Sequence, residues 1–445
     1  MYFIYNALLY LVTVVSSPLL LFLLYRNPRY RDGFFQKLGV LPWSLLVETA
    51  KNRPVWVHAV SVGEVTAAIP LVNEIKRLFP QTPIILSTGT ATGFFTAQQY
   101  GSLINHVIFF PFDYPLIVRR FIARICARIF IAFETELWPN LLRELKRRDI
   151  PVVIASGRIS PRAFRRYRAF RFFFKNVLAH VDCFCMQSSA DAERVIALGA
   201  DPRRVFITGN IKFDLPMRNG KDIEQHKLFA SLNLKPGNRL FIAGSTHRGE
   251  EEIMLDVFQE LQKKLPDLVL LVAPRHPARF REVENLIRSR GICFCRKTSI
   301  TPAETAKPVE VILLDTIGEL AQFYAIGTVI FIGGSLVPVG GHNILEPALY
   351  KKPILFGPYM DNFSAIAQTL IEHQGAIQAS STKELGIAAA RLFNDAKLRE
   401  RIGLNAFQTI AQNAGAVTKC VDLIKPFIDG HPADRTANDH HPAAC

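Results

Sequence analysis

Five motifs, some built from two short segments of the 445-residue chain, combine acids, cations and glycines at spacings that could do chemistry. His58-Ala59-Val60-Ser61-Val62-Gly63-Glu64 leaves an apolar run, passes a glycine and enters a helical pattern. Glu64 therefore falls at a strand's carboxyl end and in a helix's first turn. A carboxylate held there could take a proton from an attacking hydroxyl. It could equally do no more than complement the helix dipole. Phe133-Glu134-Thr135-Glu136-Leu137-Trp138-Pro139-Asn140 repeats the step, with Pro139 suited to a first helical turn. Its two acids are expected to face different ways, with Glu136 the one that reaches a cleft.

Phe331-Ile332-Gly333-Gly334-Ser335 and Gly340-Gly341-His342-Asn343-Ile344-Leu345-Glu346-Pro347 join a strand to a glycine-rich loop and a helix. Glycines let a backbone approach a ligand closely, and helix amides favour phosphate. Glu346, one turn in, could accept from ribose hydroxyls. The spacing is not that of a dinucleotide fingerprint, and a plain capped helix would look similar. Ser245-Thr246-His247-Arg248 and Arg275-His276 follow two further apolar runs, where an anion carrying phosphate and carboxylate could use them. Finally, Arg158, Arg162, Arg165, Arg166, Arg168, Arg171 and Lys175 interleave with aromatic residues and contain no acid between them. On a helix this makes an apolar face flanked by cations, suited to an anionic bilayer surface. A nucleic-acid groove or a core helix with a basic outer face are the alternatives.

These segments need strands to carry them. Val55–Val60, Pro83–Ser87, Val107–Phe110, Ile129–Phe133, Val152–Ser156 and Asp182–Met186 read as buried parallel strands separated by helix-length segments. The rhythm restarts at Leu240–Ala243, Leu268–Ala273, Val311–Leu314, Val329–Ile332 and Pro353–Phe356, with Asn210–Asp222 as the linker. The fold class is α/β: two Rossmann-like domains facing a cleft, the GT-B architecture, in which ligands lie beyond the strands' carboxyl ends. The expected divisions are an anchor over 1–26, a first domain over 27–212, a second over 213–426 and a flexible tail over 427–445.

Charge is uneven. Residues 1–215 hold 27 Lys and Arg against 14 Asp and Glu, a net of +13; the remainder nets +2. The first half should attract phosphate, on lipid or substrate. The two Cys-x-Cys pairs, Cys183/Cys185 and Cys293/Cys295, lack zinc-site spacing and read as strand cysteines. Tyr2 to Tyr25 contains no charge. At ~1.5 Å per residue it reaches roughly 36 Å, enough for a hydrocarbon core of about 30 Å. Arg26, Arg29, Arg31 and Lys37 then place the rest of the chain in the cytoplasm. Ser16-Ser17-Pro18 weakens that span and leaves a surface-lying helix as the alternative.

The combination resembles the Kdo (3-deoxy-octulosonic acid) transferases of lipopolysaccharide biosynthesis. The similar segments are the one ending in Glu64, Glu134–Asn140, Ser156–Ser160, Gly209–Asp214, Gly244–Glu251, Ala273–Pro277 and Gly340–Pro347, in order along nearly the whole chain. The resemblance implies a GT-B fold, CMP-Kdo as donor and a lipid A precursor as acceptor. It also implies an inner-membrane location, acceptor binding by the first half, CMP-sugar binding by the second, and Glu64 as general base. Neither a metal nor another cofactor is expected, nor a nucleic-acid partner. The rival readings are a lipid glycosyltransferase that uses a UDP-sugar and a non-catalytic binder of anionic lipid or nucleic acid.

Overall fold

The computed structural model describes residues 2–26, 31, 33–214, 225–235, 237–300 and 309–430. Two compact units emerge, Met1–Asp214 with Asn413–Cys445, and Leu215–Gln412.

The first unit is built on a seven-stranded sheet in the order β3-β2-β1-β4-β5-β6-β7. Its strands are β1 Val55–His58, β2 Ile84–Thr88, β3 His106–Phe109, β4 Ile129–Phe133, β5 Val152–Gly157, β6 Cys183–Met186 and β7 Val205–Ile207. Every pairing is parallel. β1, β2 and β4 are buried on both faces, as strands sandwiched by helices must be. The order reverses between β1 and β4, and this is where such a sheet leaves a crevice at its carboxyl edge.

The second unit repeats the plan in the order β10-β11-β9-β8-β12-β13-β14. Here β8 is Arg239–Thr246, β9 Leu268–Pro274, β10 Phe294–Arg296, β11 Val311–Leu313, β12 Val329–Ile332, β13 Ile354–Phe356 and β14 Ile377–Gln378. These pairings are parallel too, and the reversal falls between β8 and β12.

Three expectations change. The chain's last described helix, Ala416–Asp429, packs on the first unit, so that unit does not end with the residues before the linker. Ala416, Val417, Cys420, Val421, Ile424 and Ile428 form a helical apolar stripe that joins Val57, Ile131 and Leu71 in one core. Asp214 holds the helix start, accepting from the amides of Gly415 (2.6 Å) and Val417. The helix continues past Pro426 to Asp429, so the boundary expected there is no break. The rest of the expected tail, 431–445, and the part of the expected linker beyond Asp214 lie outside the described residues. The basic run forms two short helices, Pro161–Ala169 and Arg171–Leu178, divided at Phe170. Phe164, Tyr167 and Phe173 pack on the core while Phe170 and Phe172 are exposed.

The N-terminal helix, Tyr2–Arg26, includes one 18-residue window apolar and long enough to cross a membrane. It is not detached from the first unit. The Tyr5 hydroxyl donates to Asp113 at 2.9 Å, Asn6 accepts from the Asn140 amide at 2.6 Å, and Thr13 bonds the Tyr114 hydroxyl.

Candidate active site

At the first sheet's reversal, Ser61 caps the Val62–Leu78 helix and Glu64 stands in its first turn. Ser61 Oγ donates to Glu64 Oε1 at 3.0 Å, and the Val60 N–H donates to Oε2 at 2.9 Å. This is a variant of the capping box: the Glu64 N–H donates to Ser61 Oγ at 3.4 Å, while the Glu64 carboxylate reaches back to the amide of Val60, one residue before the cap. It fixes the carboxylate at the strand's carboxyl end and leaves each oxygen capacity for a further partner. Burial pushes the Glu64 carboxyl above its ordinary range; the Val60 amide opposes that, the Glu134 charge adds to it, and Ser61 and Lys212 oppose it.

Glu136 joins this group. Burial, and then the charge of Glu64, push its carboxyl up to about 7, while the Trp138 indole N–H, bonded at 2.9 Å, pulls it back. Glu134 raises it further and lies 3.5 Å from the Lys212 ammonium. The expected divergence of Glu134 and Glu136 is not found. A continued strand would itself have put positions 134 and 136 on one face, since side chains alternate with period 2; β4 in fact ends at Phe133, Glu134 takes a left-handed φ of 57°, and both carboxylates bear on the Glu64 group. Thr135, between them, donates to the Arg158 carbonyl and accepts from the Arg158 N–H at 3.1 Å, tying the ends of β4 and β5 together. Three carboxylates and one ammonium thus converge beside β1 and β4. Sequence reasoning missed Glu134 and Lys212 as members. The signal for Lys212 lay in the Gly209–Asp214 segment, where nothing local marks a lysine as facing a carboxylate.

The structure separates the proposed basic residues. Arg158 stands at the end of β5 beside Thr135, whereas Arg162, Arg165, Arg166 and Arg168 are exposed on the Pro161–Ala169 helix. A cavity of about 1290 Å³ opens at the other end of this sheet, against Arg128, Pro151 and Asp182 at the starts of β4, β5 and β6. It is far from the carboxylate cluster in register.

At the second sheet's reversal, glycines make room. A Cβ on Gly333 would meet the Ser245 carbonyl oxygen at 2.4 Å, and Ser245 itself is left-handed at φ 57°. Glu250 organises the loop. Its buried carboxylate accepts from the amides of His247 (2.9 Å), Gly334 (2.6 Å), Ser335 (3.0 Å) and Leu336 (2.9 Å). Glu251, also buried, accepts from Thr246 Oγ1 at 2.8 Å and from Arg279 at 2.7 and 3.1 Å. Thr246, expected to touch a ligand, is fully buried and spends its hydroxyl on this scaffold. Arg248 is exposed and pairs with Glu282 at 3.2 Å.

Three imidazoles cluster on that scaffold. His247 Nε2 and His342 Nε2 are 2.7 Å apart with their rings stacked, and the His276 ring centroid lies 5.4 Å from that of His247. Burial, then the charges of Arg275, His247 and His276, hold His342 down to about 3; burial and neighbouring cations also lower His247. Both shifts favour the neutral imidazoles, and at 2.7 Å one Nε2–H can donate to the other Nε2. Gly341 donates to the Gly334 carbonyl at 2.7 Å and folds this loop back on β12. Asn343 accepts from Leu345 N at 3.1 Å and donates to Glu346 Oε1 at 3.0 Å, fixing that carboxylate at the start of the Leu345–Leu349 helix. Among the described residues, no group of three or more His, Cys, Asp or Glu is arranged to hold a metal ion.

Known relatives decide which family these residues belong to. A family model described as 3-Deoxy-D-manno-octulosonic-acid transferase (kdotransferase) matches residues 32–215. A 3-deoxy-D-manno-octulosonic acid transferase of Haemophilus influenzae is 36% identical over 435 residues, 96% of this chain and 99% of its own length. The chain belongs to the 3-deoxy-D-manno-octulosonic acid transferase family. It is accordingly a glycosyltransferase. The family's member from Bordetella pertussis is 30% identical across 84% of this chain and 87% of its own. Among solved structures, a glycosyltransferase from Rickettsia africae matches with a TM-score of 0.57 at 13% identity, covering 85% of this chain and 99% of the other. A UDP-GlcNAc 2-epimerase from Neisseria meningitidis matches at 0.56 and 13%, covering 84% and 100%. Such likenesses establish the GT-B fold and no more, because that fold serves both transferases and epimerases.

Proposed function

We propose that this transferase moves Kdo from CMP-Kdo to a hydroxyl of a lipid A precursor, with inversion at the anomeric carbon. The acceptor oxygen forms the new bond to that carbon, its proton passes to Glu64, and the bond to the phosphate oxygen breaks with its electron pair leaving on CMP. The observation that carries this reading is the division of chemistry between the two sheet reversals. Carboxylates with raised proton affinity stand at the first. Glycines, imidazoles and Arg275 stand at the second.

In this reading Glu64 is the general base and Glu136 the second candidate. Ser245, Gly341, His342, Asn343, Glu346, Arg275 and His276 hold the donor, with Arg248 at the rim and Thr246 supporting through Glu251. Neutral imidazoles that gain a proton when an anion arrives, together with Arg275, would stabilise the departing phosphate. Arg158 serves the acceptor's phosphates, and Arg162, Arg165, Arg166 and Arg168 meet anionic lipid. The family's acyl-bearing substrate, the Tyr2–Arg26 helix and the net +13 of residues 1–215 support a place at the inner membrane's cytoplasmic face.

The test is direct. Purified protein incubated with CMP-Kdo and the tetraacyl lipid A precursor should yield products heavier by whole Kdo units in mass spectrometry. Transfer from a UDP-sugar instead, or no transfer with salt-sensitive RNA binding, would overturn the proposal.

A further inference from the structure

The Tyr2–Arg26 helix is apolar nearly all round, yet its polar side chains are not scattered. Tyr2, Tyr5, Asn6, Thr13, Ser16 and Ser17 lie on one stripe at helical spacing, and that stripe is the half-buried one. The helix meets the first unit through this stripe and through Tyr10 beside it. Tyr2 Oη is 3.0 Å from His180 Nε2, and Arg143 lies 4.7 Å over the Tyr2 ring. Tyr2 and Tyr5 pack on Phe173 at 6.0 and 5.8 Å. Tyr5 and Asn6 bond Asp113 and Asn140. Tyr10 and Thr13 meet Tyr114. The Ser16 and Ser17 hydroxyls turn back onto the helix's own carbonyls. Phe3, Ile4, Leu8, Leu11, Val12, Val14, Val15, Leu19 and Phe22 face away and are exposed.

Length turns this into topology. From Tyr2 to Thr13 the helix is fastened to the unit that carries Glu64. The part beyond Thr13 is 13 residues, ~20 Å at 1.5 Å per residue, against a hydrocarbon core of about 30 Å. A helix bound at both Tyr2 and Thr13 to one globular unit cannot also deliver its first residues to the opposite side of a bilayer. Undocking it would leave the Asp113, Asn140 and Arg143 contacts unmade and carry Tyr5, Asn6 and Thr13 into hydrocarbon, where polar groups without partners are costly.

We infer that the Tyr2–Arg26 helix is an in-plane anchor: it enters one leaflet through its outward apolar face, does not cross the bilayer, and stays docked on the catalytic unit. The occupant of that outward face is lipid, since it presents large apolar side chains with a single cation, Arg26, at its end over the Phe22 ring, and exposed arginines at 162, 165, 166 and 168 on the same unit can meet anionic headgroups. The docking point also has a use. Asn140, which grips Asn6, is the second residue of the helix that follows Glu136. The leaflet is thereby held at a fixed height relative to the carboxylate cluster, as an acceptor with acyl chains in the membrane and its hydroxyl above it would require.

The inference rests on the membrane location proposed above, so the experiment separates the two. Ile4, Leu11 and Phe22 lie along one outward line of the helix and are exposed. Ile4→Cys, Leu11→Cys and Phe22→Cys, each carrying a nitroxide, are placed in vesicles of phosphatidylethanolamine and phosphatidylglycerol and their depths measured by oxygen and nickel relaxation. An in-plane helix gives three similar, shallow depths, roughly 5–10 Å below the headgroups. A spanning helix puts Leu11 deepest with Ile4 and Phe22 shallow, and that profile overturns the inference while leaving the membrane location intact. Protein that fails to sediment with the vesicles overturns both. As a second readout, Phe3→Cys in intact spheroplasts should resist a membrane-impermeant maleimide; labelling from the periplasmic side overturns the inference. These positions carry no contact with the carboxylates, so transfer activity should be retained throughout.

Discussion

Glu64 and Glu250 occupy equivalent places in the two units. Each opens the helix that follows the first strand beside its sheet's reversal, and each accepts hydrogen bonds from nearby main-chain amides. Glu250 is fully buried and holds four amides drawn from two loops. Glu64 is half-buried and holds one amide and one hydroxyl, with Glu134 close enough to raise its proton affinity. The same residue type in the same local frame is scaffold in one unit and is left chemically available in the other. What separates them is the number of donors already facing the carboxylate, because a saturated carboxylate has nothing left to offer a proton or a substrate.

One substitution made at both positions tests that contrast. Glu64→Gln keeps the size and an acceptor oxygen but cannot take a proton. General-base catalysis contributes about 10²–10⁴-fold, so the turnover number should fall by that factor, with both KM values and the melting temperature nearly unchanged. Turnover within a few-fold of wild type would move the base to Glu136. Glu250→Gln places an NH2 group against amides that need an acceptor. Hydrogen bonds to charged groups are worth about 1.5–3 kcal/mol each, and losing two should destabilise the second unit by roughly 3 kcal/mol or more. Calorimetry should show this unit melting early and CMP retention failing with it. A stable Glu250→Gln protein that binds CMP normally would break the comparison.

A smaller effect sharpens the donor side. Glu346→Gln should weaken CMP binding by one to two orders of magnitude, the value of about 1.5–3 kcal/mol for a charge-assisted bond to ribose. Asn343→Ala should cost less, because Asn343 orients Glu346 and the helix start through its own bonds. Titration calorimetry ranks the two, and an Asn343 loss exceeding that of Glu346 would make Asn343 the direct contact.

Much of this was legible in the chain. The eleven strands expected from apolar runs are all present within a few residues. Those missed, Val205–Ile207, Phe294–Arg296 and Ile377–Gln378, are edge or near-edge strands of two or three residues with partly exposed side chains, too short to show a pattern. Glu64 was legible because strand, glycine and helix converge on it within seven residues. Glu250 and Glu251 were not, because acids in a first helical turn look alike whether they face solvent or orphaned amides across the sheet. The docked stripe of the Tyr2–Arg26 helix was hidden for a related reason. Its polar residues are spaced for a partner surface, and nothing in the helix itself names Asp113, Asn140 or Tyr114 as that surface.

A last expected effect is in pH, and there the two sites should differ in sign. Glu136 is raised to about 7 in the folded chain, against an ordinary carboxyl near 4.5. Between those values the folded state holds a proton that the unfolded state has released, so Glu136 costs stability as pH rises and the whole cost is present above pH 7. His342 is held at about 3, against an ordinary imidazole near 6.5. There the unfolded state binds the extra proton, so stability is lost as pH falls from 6.5. Whole-protein melting mixes these with Glu64, Asp113 and Glu250, all raised by burial, and with His58, His180 and His247, lowered by it. Variants isolate the terms. Gln at 136 imitates the protonated acid at every pH and can still accept from the Trp138 indole. Glu136→Gln should therefore match wild type in melting temperature below about pH 4.5 and exceed it by a margin that grows from there up to pH 7 and then levels. His342→Gln should match wild type above pH 7 and exceed it increasingly as pH drops below 6.5. A margin for Glu136→Gln that is the same at pH 5 and pH 8 would mean that the carboxyl is ionised throughout. Glu136 would then be an ordinary anion beside Glu64, and the contrast between a proton-holding carboxylate pair at the first site and proton-excluding imidazoles at the second would fail at its clearest member.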